Sequence, residues 1–258
     1  MNRINKAFLN KKAFIPFITA GDPNLETTEK LIIAMQESGA DLIEIGIPFS
    51  DPIAEGEVIQ NASQRALSAG CDTDKIFDMV SRVRQCVTVP LVFMTYINLV
   101  YTYGKERFLK KCKDVGIDGI IIPDLPFEEN KELIDVCKKY DVNLISLIAP
   151  TSKERVEMIA KQANGFVYCV SSLGVTGVRE NIKTDIGQMI KLVKTVSKIP
   201  CAVGFGISTP NQAKKISEVC DGVIVGSAIV KIIEKYGENS IEPVKEYVKL
   251  MKKAMEQG

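Results

Sequence analysis

The stretch Ile199-Pro200-Cys201-Ala202-Val203-Gly204-Phe205-Gly206-Ile207-Ser208-Thr209-Pro210 leads through an amphipathic segment (Gln212 to Val219) to Cys220-Asp221-Gly222-Val223-Ile224-Val225-Gly226-Ser227-Ala228. Together these contain every part of one repeating unit. Pro200 opens a short apolar run at a position where its missing N–H costs nothing. Gly204 and Gly206 close that run, and Thr209-Pro210 reads as a helix N-cap followed by an N1 proline. Asp221 then marks the turn from helix into a second apolar run. Two such runs joined by a helix-length connection predict neighbouring parallel strands with a crossover helix. Upstream, Val89-Pro90-Leu91 repeats the proline start, and Ala40-Asp41-Leu42 and Ile117-Asp118-Gly119 repeat the aspartate turn.

Working outward, short apolar runs occur at Phe14 to Thr19, Leu42 to Ile47, Leu91 to Thr95, Gly119 to Ile122, Asn143 to Ile148, Phe166 to Val170, Cys201 to Gly204 and Val223 to Val225. Segments of helical period separate them. Eight parallel strands in 258 residues predict a closed (β/α)8 barrel, a TIM barrel, spanning residues 1–258 as one domain. A doubly wound open sheet is the alternative. Three further helices are expected: Asn2 to Leu9, placed to plug the barrel floor; Glu57 to Leu67, between strand 2 and its crossover helix; and a tail from Ile241 to Met255.

Composition excludes several function classes. Lys+Arg 33 against Asp+Glu 32 leaves a formal charge of +1, so no basic field favours a nucleic acid partner. The chain has no histidine, which removes Ser-His and Cys-His dyads and histidine metal sites; no metal is expected. The 7 cysteines include no C-x-x-C pair, so a reducing compartment is expected. Lysines interrupt the N-terminal apolar residues, and no run approaches the ~20 apolar residues of a membrane span, so a cytoplasmic protein is expected.

Function in this fold lies at the C-terminal ends of the strands and in the loops that follow. Alternation in Leu42-Ile43-Glu44-Ile45-Gly46-Ile47 turns the isoleucines towards the helices and Leu42, Glu44 and Gly46 into the barrel. Glu44 is thus a carboxyl in an apolar lumen, where burial raises its pKa and suits it to donate a proton. None of the apolar runs contains Lys or Arg, so Glu44 has no strand-borne cation to pair with and a Schiff-base aldolase has no barrel lysine. Asp51 and Glu55, in Pro48-Phe49-Ser50-Asp51-Pro52-Ile53-Ala54-Glu55-Gly56-Glu57, are placed to swing over the barrel mouth. Tyr168 lies in strand 6, and the Gly-rich continuation through Ser171, Thr176 and Gly177 reads as a substrate lid. Gly204-Phe205-Gly206 and Gly226-Ser227 follow strands 7 and 8, the frequent phosphate site of this fold.

With Glu44, Pro48-Phe49-Ser50-Asp51-Pro52, Gly174-Val175-Thr176-Gly177 and Gly204-Phe205-Gly206-Ile207-Ser208 in this order, the chain resembles the α subunit of tryptophan synthase from Phe17 to Lys231. The resemblance implies a lyase that splits indole-3-glycerol phosphate into indole and glyceraldehyde 3-phosphate. It implies no cofactor in this chain, and a β subunit carrying pyridoxal phosphate that receives the indole in an α2β2 assembly. Carried over, Glu44 matches the catalytic glutamate and Tyr168 the strand-6 tyrosine. Thr176 belongs to the substrate loop; Gly177, Gly206, Gly226 and Ser227 match the phosphate binders. Phe17, Tyr96, Ile122 and Phe205 match the walls of the indole pocket, and Pro48, Phe49, Asp51 and Pro126 the face towards the partner. The family's Ala-Asp-Gly-Pro is here Ala54-Glu55-Gly56-Glu57. Glu55 therefore stands as the second catalytic carboxylate with an added methylene, and Glu57 takes the place of a stiffening proline. Two other readings stay open. One is a weakly active scaffold and activator of the β subunit; the other is a different phosphate-binding barrel enzyme, such as indole-glycerol-phosphate synthase, which needs an inward lysine.

Overall fold

A computed structural model of the chain describes residues 2–170, 182–204 and 206–256, without side chains for 182–185. Eight parallel strands close into a barrel in sequence order: β1 Ala13–Thr19, β2 Ile43–Gly46, β3 Leu91–Met94, β4 Gly119–Ile121, β5 Asn143–Ile148, β6 Val167–Val170, β7 Cys201–Gly204 and β8 Gly222–Val225. Around them lie α1 Arg3–Ala7, α2 Leu25–Glu37, α3 Glu57–Ser68, α4 Thr73–Val83, α5 Ile97–Tyr103, α6 Lys105–Val115, α7 Lys131–Lys139, α8 Lys153–Gln162, α9 Ile182–Val196, α10 Pro210–Ser217, α11 Ser227–Tyr236 and α12 Ile241–Glu256. The closed barrel excludes the doubly wound alternative.

Strand alternation divides the core into two layers. Ile15, Leu42, Val92, Ile121, Ile145, Phe166, Tyr168, Ala202 and Ile224 fill the lumen, with Ile4 and Ala7 of α1 packed among them as the floor. Ile43, Ile45, Phe93, Ile120, Val167, Val203 and Val223 face the helices. The aspartate turns have a common function. Each carboxylate accepts the first N–H groups of the preceding strand or its neighbour: Asp41 from Phe14 at 2.8 Å, Asp118 from Leu91 at 3.0 Å and Asp221 from Cys201 at 2.8 Å. A cation neutralises each one, namely Lys252, Arg84 and Lys194. These groups tie the N-terminal ends of the strands and leave the opposite end to the chemistry.

Helix α5 follows β3 after only Thr95 and Tyr96. Its first residue offers no local cap; instead Asp124, on the loop after β4, accepts from the Ile97 N–H at 3.0 Å. A helix whose start is satisfied from a distant loop leaves little local trace. The expected Thr209 cap forms as a full capping box with Gln212, and Pro210 occupies N1.

Candidate active site

Glu44 lies on β2, in register with Phe17 of β1 on one side and Val92 of β3 on the other. It is 1% exposed. Neither carboxyl oxygen has a hydrogen-bond partner among the described residues. Burial, reinforced by the charge of Glu55, pushes its pKa up to about 8.

Glu55 reaches the same place from the loop before α3. Its side chain is half-buried, its Oε2 is buried without a hydrogen-bond partner, and burial pushes its pKa up to about 7. The segment needs no proline to hold it. Gln60 Nε2 donates to the Glu55 carbonyl at 2.8 Å, and the Ala54 N–H donates to the Tyr96 hydroxyl at 3.1 Å. Glu57 opens α3, where a carboxylate is favoured by the helix dipole. Asp51 remains exposed and hydrogen-bonded to Ser50.

The aromatic side chains at the mouth depend on glycines. A Cβ on Gly204 would lie 2.3 Å from the Tyr168 hydroxyl oxygen, and one on Gly46 2.7 Å from the Phe17 ring. Gly226 also accommodates Phe17, at 3.2 Å from a built Cβ. Tyr168 is buried, and its phenol pKa is raised well above normal by burial and by the nearby Glu44. Tyr96 is likewise buried, with Phe49 stacked on it at a centroid distance of 5.0 Å.

Two expectations need correction. Ile122 packs in the outer layer beside Ile120, whereas Ile121 points into the lumen with Met94 and Leu147. Period 2 from Gly119 gives that answer, since 119 and 121 share a face. Pro48 is buried, so its ring is no part of an exposed rim; exposed positions there include Asp51, Ile53 and Pro126. Thr176, Gly177 and Phe205 lie outside the described residues.

Gly206, at φ +75°, and Ser227 are exposed at the mouth beyond β7 and β8. Helix α11 starts at Ser227 behind Gly226 with no side-chain cap, in contrast to α10. Its first turn therefore carries backbone N–H groups that no side chain caps. Among the described residues, no group of three or more His, Cys, Asp or Glu side chains is placed to hold a metal ion, and no helix is long and apolar enough to cross a membrane.

Residues 4–258 match the family model of the tryptophan synthase alpha chain. The chain belongs to that family. It is 50% identical to the tryptophan synthase alpha chain of Thermoanaerobacter pseudethanolicus, over 99% of this chain and 100% of that one. With the chain from Caldanaerobacter subterraneus it shares 51% identity over 95% of each. The crystal structure of tryptophan synthase subunit alpha from Legionella pneumophila superposes with a TM-score of 0.91 at 38% identity, covering 100% of both chains. A tryptophan synthase complex from Pyrococcus furiosus matches with a TM-score of 0.85 at 37% identity, covering 93% of this chain and 98% of that one. As a tryptophan synthase alpha chain, the protein is a lyase of tryptophan biosynthesis that cleaves indole-3-glycerol phosphate.

Proposed function

We propose that Glu44 and Glu55 divide the proton work of indole-3-glycerol phosphate cleavage. The observation that carries this reading is the pair of carboxyl groups raised in pKa at the barrel mouth: Glu44, fully buried with neither oxygen hydrogen-bonded among the described residues, and Glu55, half-buried with its Oε2 buried and unpaired. Glu44, protonated at neutral pH, gives its proton to indole C3 and forms an indolenine whose N–H becomes cationic. Glu55 in its ionised form accepts a hydrogen bond from that N–H and stabilises the charge. Glu44, now a carboxylate, takes the proton from the hydroxyl on the adjacent carbon. That hydroxyl becomes the aldehyde carbonyl, the carbon–carbon bond breaks, and its electron pair neutralises the indolenine as indole. The proton returns to Glu44, so the cycle needs no cofactor in this chain.

In the same reading, Phe17, Tyr96, Ile121, Met94 and Leu147, with Phe205, hold the indole ring, and Tyr168 lies by the reacting carbons. Gly206, Gly226 and Ser227 bind phosphate together with Gly177, and Thr176 belongs to the loop over the substrate. The family and the Pyrococcus furiosus complex support a β-subunit partner. An α2β2 assembly with pyridoxal phosphate in the β subunit, in the cytoplasm, completes the proposal. Glu44→Gln tests it: indole release should fall by at least about 100-fold while binding of inorganic phosphate is retained. Activity within a few-fold of the parent would remove Glu44 from the mechanism. Gly206→Asp should instead abolish phosphate binding, because a carboxylate would face the anion donors.

A further inference from the structure

One side chain joins the helix that follows the carboxylate loop to the helix that opens at Ser227. Arg65 lies near the C-terminal end of α3. Its Nε and Nη2 donate to the two carboxylate oxygens of Asp22, each at 2.9 Å, and its Nη1 donates to Glu234 on α11 at 2.9 Å. Asp22 is 1% exposed and follows β1. The Asn24 amide adds a second tie from this segment, to Glu238 at 2.8 Å. Helix α3 approaches the segment closely because residue 21 is glycine at φ +85°: a Cβ there would lie 2.6 Å from Cys71 Sγ and 3.2 Å from Ala66 Cβ. Between the helices, Ile59, Ala62 and Val230 pack with Phe17.

We infer that Arg65 is a positioning residue that sets the spacing between the carboxylate end and the phosphate end of the substrate site. The inference rests on the proposed function. Arg65 is eight residues past the first residue of α3 and Glu234 seven past that of α11, so the tie lies roughly 10 to 12 Å along each helix at the usual rise. Apolar packing in the middle holds the helices together but tolerates sliding. A forked guanidinium on a buried carboxylate is directional and does not. With the far ends pinned and the middle packed, the N-terminal ends take one relative placement. Indole-3-glycerol phosphate is a divalent ligand, with a ring at one end and a phosphate at the other. Its binding and orientation depend on that spacing as well as on each half-site.

The test compares three probes by equilibrium binding: inorganic phosphate, indole, and a non-cleavable analogue joining indole to phosphate through a three-carbon chain. Arg65→Lys keeps a cation beside Asp22 but loses the fork and the simultaneous reach to Glu234. It should bind phosphate and indole within about twofold of the parent while the linked analogue weakens about tenfold, with kcat/KM falling alongside. Glu234→Gln, which leaves the buried Asp22–Arg65 pair in place, should show the same selective loss to a smaller degree. Parallel weakening of all three probes would indicate local unfolding and overturn the inference. Unchanged affinity for the linked analogue in both variants would also overturn it. Phosphate binding that survives Ser227→Asp in the parent chain overturns the phosphate-site reading itself, and the inference with it.

Discussion

Glu44 is a group whose burial sets both reactivity and a stability cost. Its pKa rises from 4.5 to about 8, so between these values the folded chain holds a proton that the unfolded chain has released. Stability therefore falls as pH rises through that window, and the penalty is absent below it, where both states are protonated. Glu44→Gln cannot ionise. Its thermal midpoint relative to the parent should accordingly increase from pH 5 to pH 8, as measured by thermal denaturation, even while the expected loss of indole release holds at every pH. In the proposed mechanism Glu55, raised to about 7, has to lose its proton to act, whereas Glu44 has to keep one. The pH profile of kcat/KM should therefore be a narrow bell, its rising limb near 7 and its falling limb near 8, the two apparent values belonging to the coupled pair. Glu55→Gln should remove the rising limb from whatever activity remains. Glu55→Asp should lower turnover about tenfold, because the backbone held by Gln60 and Tyr96 is already set for the longer side chain.

At the level of strands and loops, the mouth is built from large rings placed opposite missing side chains. Gly204→Ala puts a Cβ where the Tyr168 hydroxyl lies, 2.3 Å away on β7, so the ring must shift or the strand must yield. The expected result is a loss of about 1 to 3 kcal/mol in denaturant unfolding and a lower turnover, since Tyr168 leaves its place beside Glu44. In the sequence this glycine reads as the end of a strand and the start of a phosphate loop, and nothing there announces the ring of Tyr168 against it. What alternation fixes was legible: the inward Glu44, the outward isoleucines beside it, and the proline and aspartate punctuation of the repeat. Ile121 was legible too, since it shares a face with Gly119, whereas the family resemblance implies Ile122, which lies on the outer face. Pairings across the fold left no local trace. Asp124 capping α5, Tyr96 holding the carboxylate loop and Arg65 reaching Asp22 each join residues far apart in the chain, and nothing near either partner announces the other. The burial of Glu55 belongs with these, because an acid in a loop between Ala54 and Gly56 reads as solvated until tertiary packing covers it.

For the whole molecule, the remaining question is how a partner would sense and alter the site. Indole is small and apolar and escapes readily, so a lyase that makes it gains from a partner docked at the barrel mouth. The loop that brings in Glu55 also presents Ile53, which is 82% exposed, with Asp51 beside it and Pro126 exposed after β4. Its inner side is already anchored, through Phe49 stacked on Tyr96 and the Ala54 N–H on the Tyr96 hydroxyl. A partner that covers Ile53 would therefore press on a short segment whose far end is Glu55. Ordering that segment should raise the lyase rate through a coupling of roughly 1 to 3 kcal/mol. Ile53→Asp places a charge in the centre of this contact and should abolish co-elution with the cognate β subunit on a sizing column, while the isolated chain retains its basal rate. Asp51→Ala should keep co-elution but lower the partner-stimulated rate more than the basal one. Equal stimulation of Asp51→Ala and parent, together with undiminished co-elution of Ile53→Asp, would place the docking face elsewhere on the barrel.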